Sequence, residues 1–246
     1  MKRGITDIID VKRGTTQISK IMRGTTLIWE KAGFPTDQLF AYYKCEDNNA
    51  IDSFGVNDGV NSNVGVVTGK IGNSYSYNGS TSYTNLSALN NKFNGVDFSI
   101  GFWYSTTQNN LNRLVQNRGQ GGLGSVPGFA IGEYSGYVLL DSGNTEYINF
   151  STTAWNINDG NKHLFILTWN TSSGRARIYT DNVLIAEQTN MNMIGVNLNG
   201  LDVLIGKLNQ NNQYYNGEID ELAFAQKEWD ITDISKIWNN GDGITL

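Results

Sequence analysis

The sequence predicts an antiparallel all-β sandwich with one short C-terminal helix, preceded by a small β-repeat segment. Three observations carry this. Charged residues make up only 17% of the 246-residue chain, below the ~25% usual in soluble domains. Asn, Gly, Ser and Thr stand in their place, and these residues favour turns and hydrogen-bonding surfaces. Short apolar stretches with period-two alternation recur between turn signals, as in sandwiches. Finally, a single stretch near the C-terminus has helical spacing and caps.

The first 35 residues carry an internal repeat. Lys2-Arg3-Gly4-Ile5-Thr6, Lys12-Arg13-Gly14-Thr15-Thr16 and Met22-Arg23-Gly24-Thr25-Thr26 follow one another every ten residues. That period is too short for a helical repeat and suits one strand plus a Gly turn. Ile5, Ile8, Ile18, Ile21, Leu27 and Trp29 supply its apolar face. Three such strands bury too little area to fold alone. They either pack on the neighbouring domain or pair with other chains. Gly33-Phe34-Pro35-Thr36 breaks the pattern, which divides the chain into residues 1–35, for anchoring and oligomerisation, and the sandwich, residues 36–246.

Strand signals fill the second part. Phe98, Ile100 and Phe102 alternate within Phe98-Ser99-Ile100-Gly101-Phe102-Trp103-Tyr104 and share one face, so Trp103 faces the other way. His163 to Trp169 is nearly continuously apolar, which fits a central strand covered on both faces. Asp181-Asn182 separates two strand signals as a two-residue hairpin turn. Leu201 to Gly206 and Glu218 to Phe224 add two more strands. The helix follows Trp229-Asp230-Ile231: Thr232 is its expected N-cap, Ile234, Ile237 and Trp238 form its apolar stripe, and Asn240-Gly241 ends it.

Composition also excludes. A net charge of −5 gains nothing from counterion release, so nucleic acid is not an expected partner. No stretch approaches the ~20 apolar residues of a membrane span, and no apolar segment of a secretory signal follows Met1. Cys45 has no partner for an internal disulfide.

Several stretches in order resemble the laminin-G-like members of the concanavalin A-like lectin/glucanase superfamily. They are Phe40-Ala41-Tyr42-Tyr43 with Asp52-Ser53-Phe54-Gly55, Gly69 to Gly79, Phe98 to Trp103, Gly174 to Asn182, and Asn216-Gly217-Glu218-Ile219-Asp220-Glu221-Leu222 with the helix after it. The family usually has Asp-Gly in the hairpin where this chain has Asp181-Asn182. The resemblance implies a jelly-roll whose concave face often holds glycan, and Trp103 would lie on that face. It also implies a structural calcium site in which Glu46 or Asp47, the Gly79 carbonyl and Asp220 are the ligands, six to eight oxygens being what calcium requires. The alternative for Asp220 is a plain hydrogen bond to the adjoining loop. Arg23 to Glu30, Arg-Gly-Thr-Thr-Leu-Ile-Trp-Glu, resembles the attachment segments of tailed-bacteriophage structural proteins. That resemblance implies a virion location, other virion proteins as partners of residues 1–35, and a homotrimer.

Candidate chemistry is sparse. Glu218-Ile219-Asp220-Glu221 is the nearest thing to a catalytic motif. A retaining glycosidase needs two carboxyl groups about 5–5.5 Å apart on one face. Glu218 and Asp220 share a face, but Leu222 and Ala223 stand where the superfamily's hydrolases place another carboxylate, and alternation sends Glu221 to the opposite face. No enzymatic activity is expected. His163, the one histidine, reads as a satisfied structural residue. The glycine-rich Gly119 to Gly128 lacks the Lys-Ser/Thr ending of a phosphate loop. Sugar stacking falls to Trp103, Tyr134, Trp155 and Tyr214, with Tyr137 and Tyr215 beside them; packing is the alternative for each. The combined reading is a non-catalytic phage structural protein, a fibre or a capsid or tail decoration, displaying a glycan-binding sandwich. A decoration protein that binds no sugar, and a secreted polysaccharide-degrading enzyme or its carbohydrate-binding module, are the alternatives.

Overall fold

The Arg-Gly-Thr-Thr repeats fold as hairpins, not as single strands. A computed structural model describes residues 11–13, 16–18, 20–30, 33–108, 114–118, 128–133, 137–141, 147–149, 158–191, 201–208 and 213–246. Its first elements are β1 (Val11–Arg13) with β2 (Thr16–Ile18), and β3 (Lys20–Arg23) with β4 (Thr26–Glu30). Arg13 opposes Thr16 and Arg23 opposes Thr26, so the second and third repeats each fall where two strands pair antiparallel. Gly24 sits at φ 64, which a primed hairpin turn requires at its first loop position. The ten-residue period therefore counts whole hairpins. Each is a separate two-stranded sheet, and among the described residues neither pairs with the sandwich.

The sandwich begins with β5 (Leu39–Tyr43), β6 (Val60–Ser62), β7 (Gly65–Thr68), β8 (Asn73–Asn78) and β9 (Tyr83–Leu86). It continues with β10 (Phe98–Ser105), β11 (Val115–Arg118), β12 (Gly128–Glu133), β13 (Tyr137–Asp141) and β14 (Tyr147–Asn149). Last come β15 (His163–Asn170), β16 (Arg175–Thr180), β17 (Val183–Gln188), β18 (Val203–Ile205), β19 (Asn216–Ala225) and the helix α1 (Ile231–Trp238). One antiparallel sheet has the order β17-β16-β15-β10-β19-β8-β7, with β5 also on β19. The other runs β14-β13-β12-β11-β18-β9-β6.

The main core lies between the sheets. Phe98, Ile100, Phe102 and Tyr104 of β10 meet Phe129, Ile131, Val203 and Ile205 of the facing sheet. Strand β15 is buried on both faces as its apolar run predicts: Phe165, Leu167 and Trp169 point inward, Leu164 and Ile166 outward. The outward set belongs to a second apolar cluster, which α1 and its flanks press onto the outer face of the eight-stranded sheet. Trp229, Ile234 and Ile237 cover Trp103, Ile166, Ala223 and Ala225. A side chain at Gly101 would put its Cβ 2.9 Å from the Trp229 ring, so only glycine admits this indole.

Local signals held with two adjustments. The turn at Asp181-Asn182 has φ 51 and 67, a primed turn. The helix cap is Asp230, not Thr232: the Asp230 carboxylate accepts from the backbone N–H groups of Thr232 (2.8 Å) and Asp233 (2.9 Å). An ionised acceptor two residues earlier satisfies two of the free donors of the first turn. The sandwich also begins before residue 36, because Phe34 is buried and packs edge-on against Tyr42 (4.8 Å) and Trp229 (6.2 Å).

Candidate functional site

Of the aromatic residues expected to stack sugar, the two described, Trp103 and Tyr214, do not share a platform. Trp103 does face away from the inter-sheet core, but α1 covers that face. Its ring stacks on Trp238 at 5.4 Å and 17°, Lys70 Nζ lies 4.7 Å from its ring centroid, and 1% of it is exposed. A ring sealed in this way has no face for a sugar. Tyr214 is half-buried at the other sheet, beside Lys207, whose ammonium sits between the rings of Tyr214 and Tyr83 at 5.7 and 4.5 Å. Tyr215 is fully buried and donates to the Ser105 carbonyl (2.8 Å). Tyr134 and Trp155 lie outside the described residues, as do positions 119–127 of the glycine-rich stretch; Tyr137 opens β13.

The expected calcium ligands are likewise dispersed. Asp220 is buried, and its Oδ2 accepts from the backbone N–H groups of Lys70 (2.8 Å) and Ile71 (3.0 Å). Glu46 Oε2 accepts from Asn73 N–H (3.0 Å) in the same loop. The exposed Asp47 carboxylate accepts from Asn49 N–H (3.0 Å) and closes its own turn. Gly79 donates to the Tyr215 carbonyl, at the far end of β8. Asn78 pairs with Asn216, and Asp220 lies four positions along β19, about 14 Å away at ~3.4 Å per residue. Among the described residues no three acidic, His or Cys side chains converge. These residues do not fit a calcium ion: Glu46 and Asp220 face backbone donors of one loop, and those N–H dipoles tie the last strand to the chain.

What the structure does bring together is a polar cleft at the uncovered end of the same outer sheet face. It encloses ≈ 320 Å³ and is lined by Ser76, Ser105, Thr106, Thr107, Asn216 and Glu218, with Gly160 and Gly217 contributing backbone. Alternation explains the lining. In β8, Tyr75 and Tyr77 turn into the core, which leaves Ser74 and Ser76 outside. In β19, Ile219 turns in and Glu218 and Asp220 turn out. The floor is fixed by hydrogen bonds. Thr106 Oγ1 donates to the Asn216 carbonyl (2.7 Å), and Gln108 Oε1 accepts from Asn216 N–H (3.0 Å). A Cβ at Gly217 would lie 2.3 Å from the Ser105 carbonyl, so close approach of the two strands requires glycine there. Lys162, outside the lining, donates to Glu218 Oε2 and to the Thr68 carbonyl (2.9 Å).

Glu221 departs from simple alternation. β19 bulges against β10, where Gly101 opposes Ala223 but Trp103 opposes Asp220. Glu221 takes φ 51 at the bulge, and its carboxylate accepts from the Tyr42 hydroxyl, on the outer face with Asp220. The face assigned to Glu221 from sequence is thus corrected, because one extra residue reverses the parity of the strand. Burial pushes the Glu221 carboxyl up to about 8, against the opposing hydrogen bond from Thr245. Burial likewise pushes Asp220 up to about 7 despite the Ile71 and Lys70 N–H groups. His163 is held by two carboxylates, Nδ1 to Asp181 (2.6 Å) and Nε2 to Asp159 (3.2 Å), which agrees with a structural role.

A family model described as the concanavalin A-like lectin/glucanases superfamily matches residues 78–235. Among solved structures, domain 4 of AbnA, a GH43 extracellular arabinanase from Geobacillus stearothermophilus, in complex with arabinotriose, is similar with a TM-score of 0.66. Its identity is 18%, over 80% of this chain and 97% of that one. The binding domain of botulinum neurotoxin DC in complex with rat synaptotagmin II has a TM-score of 0.61 at 18% identity, over 83% of this chain and 52% of that one. The same toxin domain in complex with SialylT has a TM-score of 0.60 at 17% identity, over 84% and 52%. This chain thus spans about half the length of the toxin domains. No curated protein matches the sequence.

Two outcomes follow. The folded state keeps protons on Asp220 and Glu221 that the unfolded chain releases near pH 4. Their contribution to stability is therefore full below about pH 4 and is lost as pH rises through about 7–8. Unfolding free energy measured by urea titration should fall between pH 5 and pH 8, and Glu221→Gln should flatten that slope and be the more stable protein at pH 8, by on the order of 2 kcal/mol. An unchanged slope would show that Glu221 titrates normally. Second, excess chelator should leave the melting temperature where it was; a drop reversed by added calcium would show that a metal holds the last strand.

Proposed function

Because the chain belongs to the concanavalin A-like lectin/glucanases superfamily, we propose that it is a non-catalytic glycan-binding module whose binding site is the polar cleft on the outer face of the eight-stranded sheet. The observation that carries this is the lining itself: hydroxyls, one amide and one carboxylate, on a floor already ordered by internal hydrogen bonds. Such groups match the donors and acceptors of a sugar, and prior ordering lowers the cost of binding. The arabinanase domain, a fold of nearly the same extent in complex with arabinotriose, supports the reading. The toxin complexes support it less, since half of each toxin domain has no counterpart here.

The carboxylates favour binding over hydrolysis. Glu218 is ion-paired with Lys162, Asp220 Oδ2 is occupied by two N–H donors, and Glu221 is buried beneath Tyr42. This engagement of each carboxylate supports the binding reading. Thr107 is exposed at the cleft, so Thr107→Trp should fill the site and leave the fold intact. Titration with oligosaccharides should show binding to the unmodified protein and at least a tenfold loss in the variant, about 1.4 kcal/mol. Equal binding by both proteins would place the site elsewhere, and release of reducing sugar would show that the module is an enzyme.

The N-terminal hairpins suit self-assembly. Two-stranded sheets are marginal in water, and neither hairpin pairs with the sandwich among the described residues. Several copies around an axis close the exposed edges with one sequence. The phage-like Arg23 to Glu30 segment favours a homotrimer displayed on a virion, held there by residues 1–35. Light scattering should give a trimer mass for the full chain and a monomer for a chain beginning at Gly33, which keeps Phe34. Monomers in both cases would remove assembly from the proposal.

A further inference from the structure

We infer that the cleft selects neutral sugars against anionic ones, with Glu218 as the selecting group and Lys162 as the residue that positions it. This deepens the glycan-binding reading and rests on it. Among the described residues Glu218 is the one charged side chain that lines the cleft; its neighbours there offer hydroxyls, an amide or backbone. Lys162 offsets part of this charge, but from outside the lining, so a ligand in the cleft meets the carboxylate first. Lys162 is engaged with Glu218 Oε2 and the Thr68 carbonyl. Ser74 Oγ approaches the same Oε2 at 3.5 Å. These contacts gather on one oxygen, Oε2. A carboxylate only accepts hydrogen bonds, so it recognises sugar hydroxyls as donors and meets a sialic or uronic carboxylate as a like charge.

Two further observations favour the same selection. Asp159, half exposed and held by His163 and Asn161, precedes Gly160 of the lining and is a second carboxylate close to it in sequence. The chain as a whole carries −5, and like-charge juxtaposition is an effective means of rejecting the wrong partner. Among the described residues the lining offers no exposed aromatic ring: Tyr77, which borders the cleft, is 1% exposed. The described lining therefore contributes hydrogen bonds rather than stacking.

Arrayed pairs of glycans, each neutral oligosaccharide beside its sialylated or uronate-bearing counterpart, test the inference on the full chain. The unmodified protein should bind neutral members at least tenfold more tightly. Glu218→Gln keeps an acceptor but removes the charge and frees the Lys162 ammonium; the preference should shrink to within about threefold. Lys162→Met should weaken binding to neutral members while the preference for them remains, which separates positioning from charge. Raising salt from about 0.05 to about 1 M should narrow the preference of the unmodified protein, because screening shortens the reach of exposed charges. Equal or tighter binding of anionic members, or a preference unchanged in Glu218→Gln, would overturn the inference and leave the glycan-binding reading standing. Binding of no glycan at all would remove both.

Discussion

The bulge at Glu221 in β19 is the constraint on which the rest of the outer sheet face depends. Ile219 points into the inter-sheet core, and so do Leu222 and Phe224. Strict alternation from Ile219 would send Leu222 and Phe224 outward and bring Ala223 and Ala225 in. One extra residue restores the large side chains to the core and leaves the two alanines on the outer face. Small residues there, with Gly101 on β10, let Trp229 and α1 approach the sheet. Before the bulge, the outward residues are Glu218 and Asp220. A single irregularity therefore divides the face into an apolar end that a helix seals and a polar end that stays open as a cleft.

The division has a cost that the surrounding loops reduce. It buries two adjacent carboxyl groups, and desolvation dominates both. Asp220 recovers part of this from the Lys70 and Ile71 N–H groups, whose dipoles favour negative charge. Glu221 is covered by Tyr42 from β5, and the Leu246 N–H reaches the same hydroxyl at 3.3 Å. The first strand of the sandwich, the loop before β8 and the C-terminus thus meet around the bulge. The covered aromatic pair Trp103–Trp238 lies beside them, so the helix that removes Trp103 from solvent also defines where the cleft begins.

What was legible in the sequence was what short-range periodicity decides. The two-face burial of β15, the inward set Phe98, Ile100 and Phe102, the Asp181-Asn182 turn and the stripe Ile234–Ile237–Trp238 all follow from local spacing and turn chemistry. The errors have long-range causes. The face of Glu221 depends on a bulge that leaves no mark in the residue pattern. The cover over Trp103 depends on where α1 docks, although its apolar stripe signalled that some sheet face must receive it. Gly79 and Asp220 look like ligands of one ion only until strand register separates them along β8 and β19. The hairpin at each Arg-Gly-Thr-Thr repeat was hidden by a period that suits a strand and turn equally well. The cleft was partly visible: Ser76, Glu218 and Ser105 occupy outward positions of strands whose inward partners are aromatic or aliphatic. That three of those strands lie side by side, β8 against β19 against β10, and that Lys162 reaches Glu218, needed the topology.

The polar cleft and the hairpin segment make physical sense together. A site that recognises hydroxyls through hydrogen bonds exchanges water contacts for sugar contacts, and each such exchange yields a modest net free energy. A cleft that offers no stacking ring among its described residues is a weak site even when its floor is ordered in advance. Weak sites become effective when several are carried on one body, because the second binding event is then intramolecular and its effective concentration is set by geometry. On the proposed reading, hairpins that are marginal alone and complete one another in an assembly would supply such a body without adding a contact to the sugar. On that proposal the labour is divided: recognition would rest on one rigid cleft, and strength on copy number supplied by the repeats.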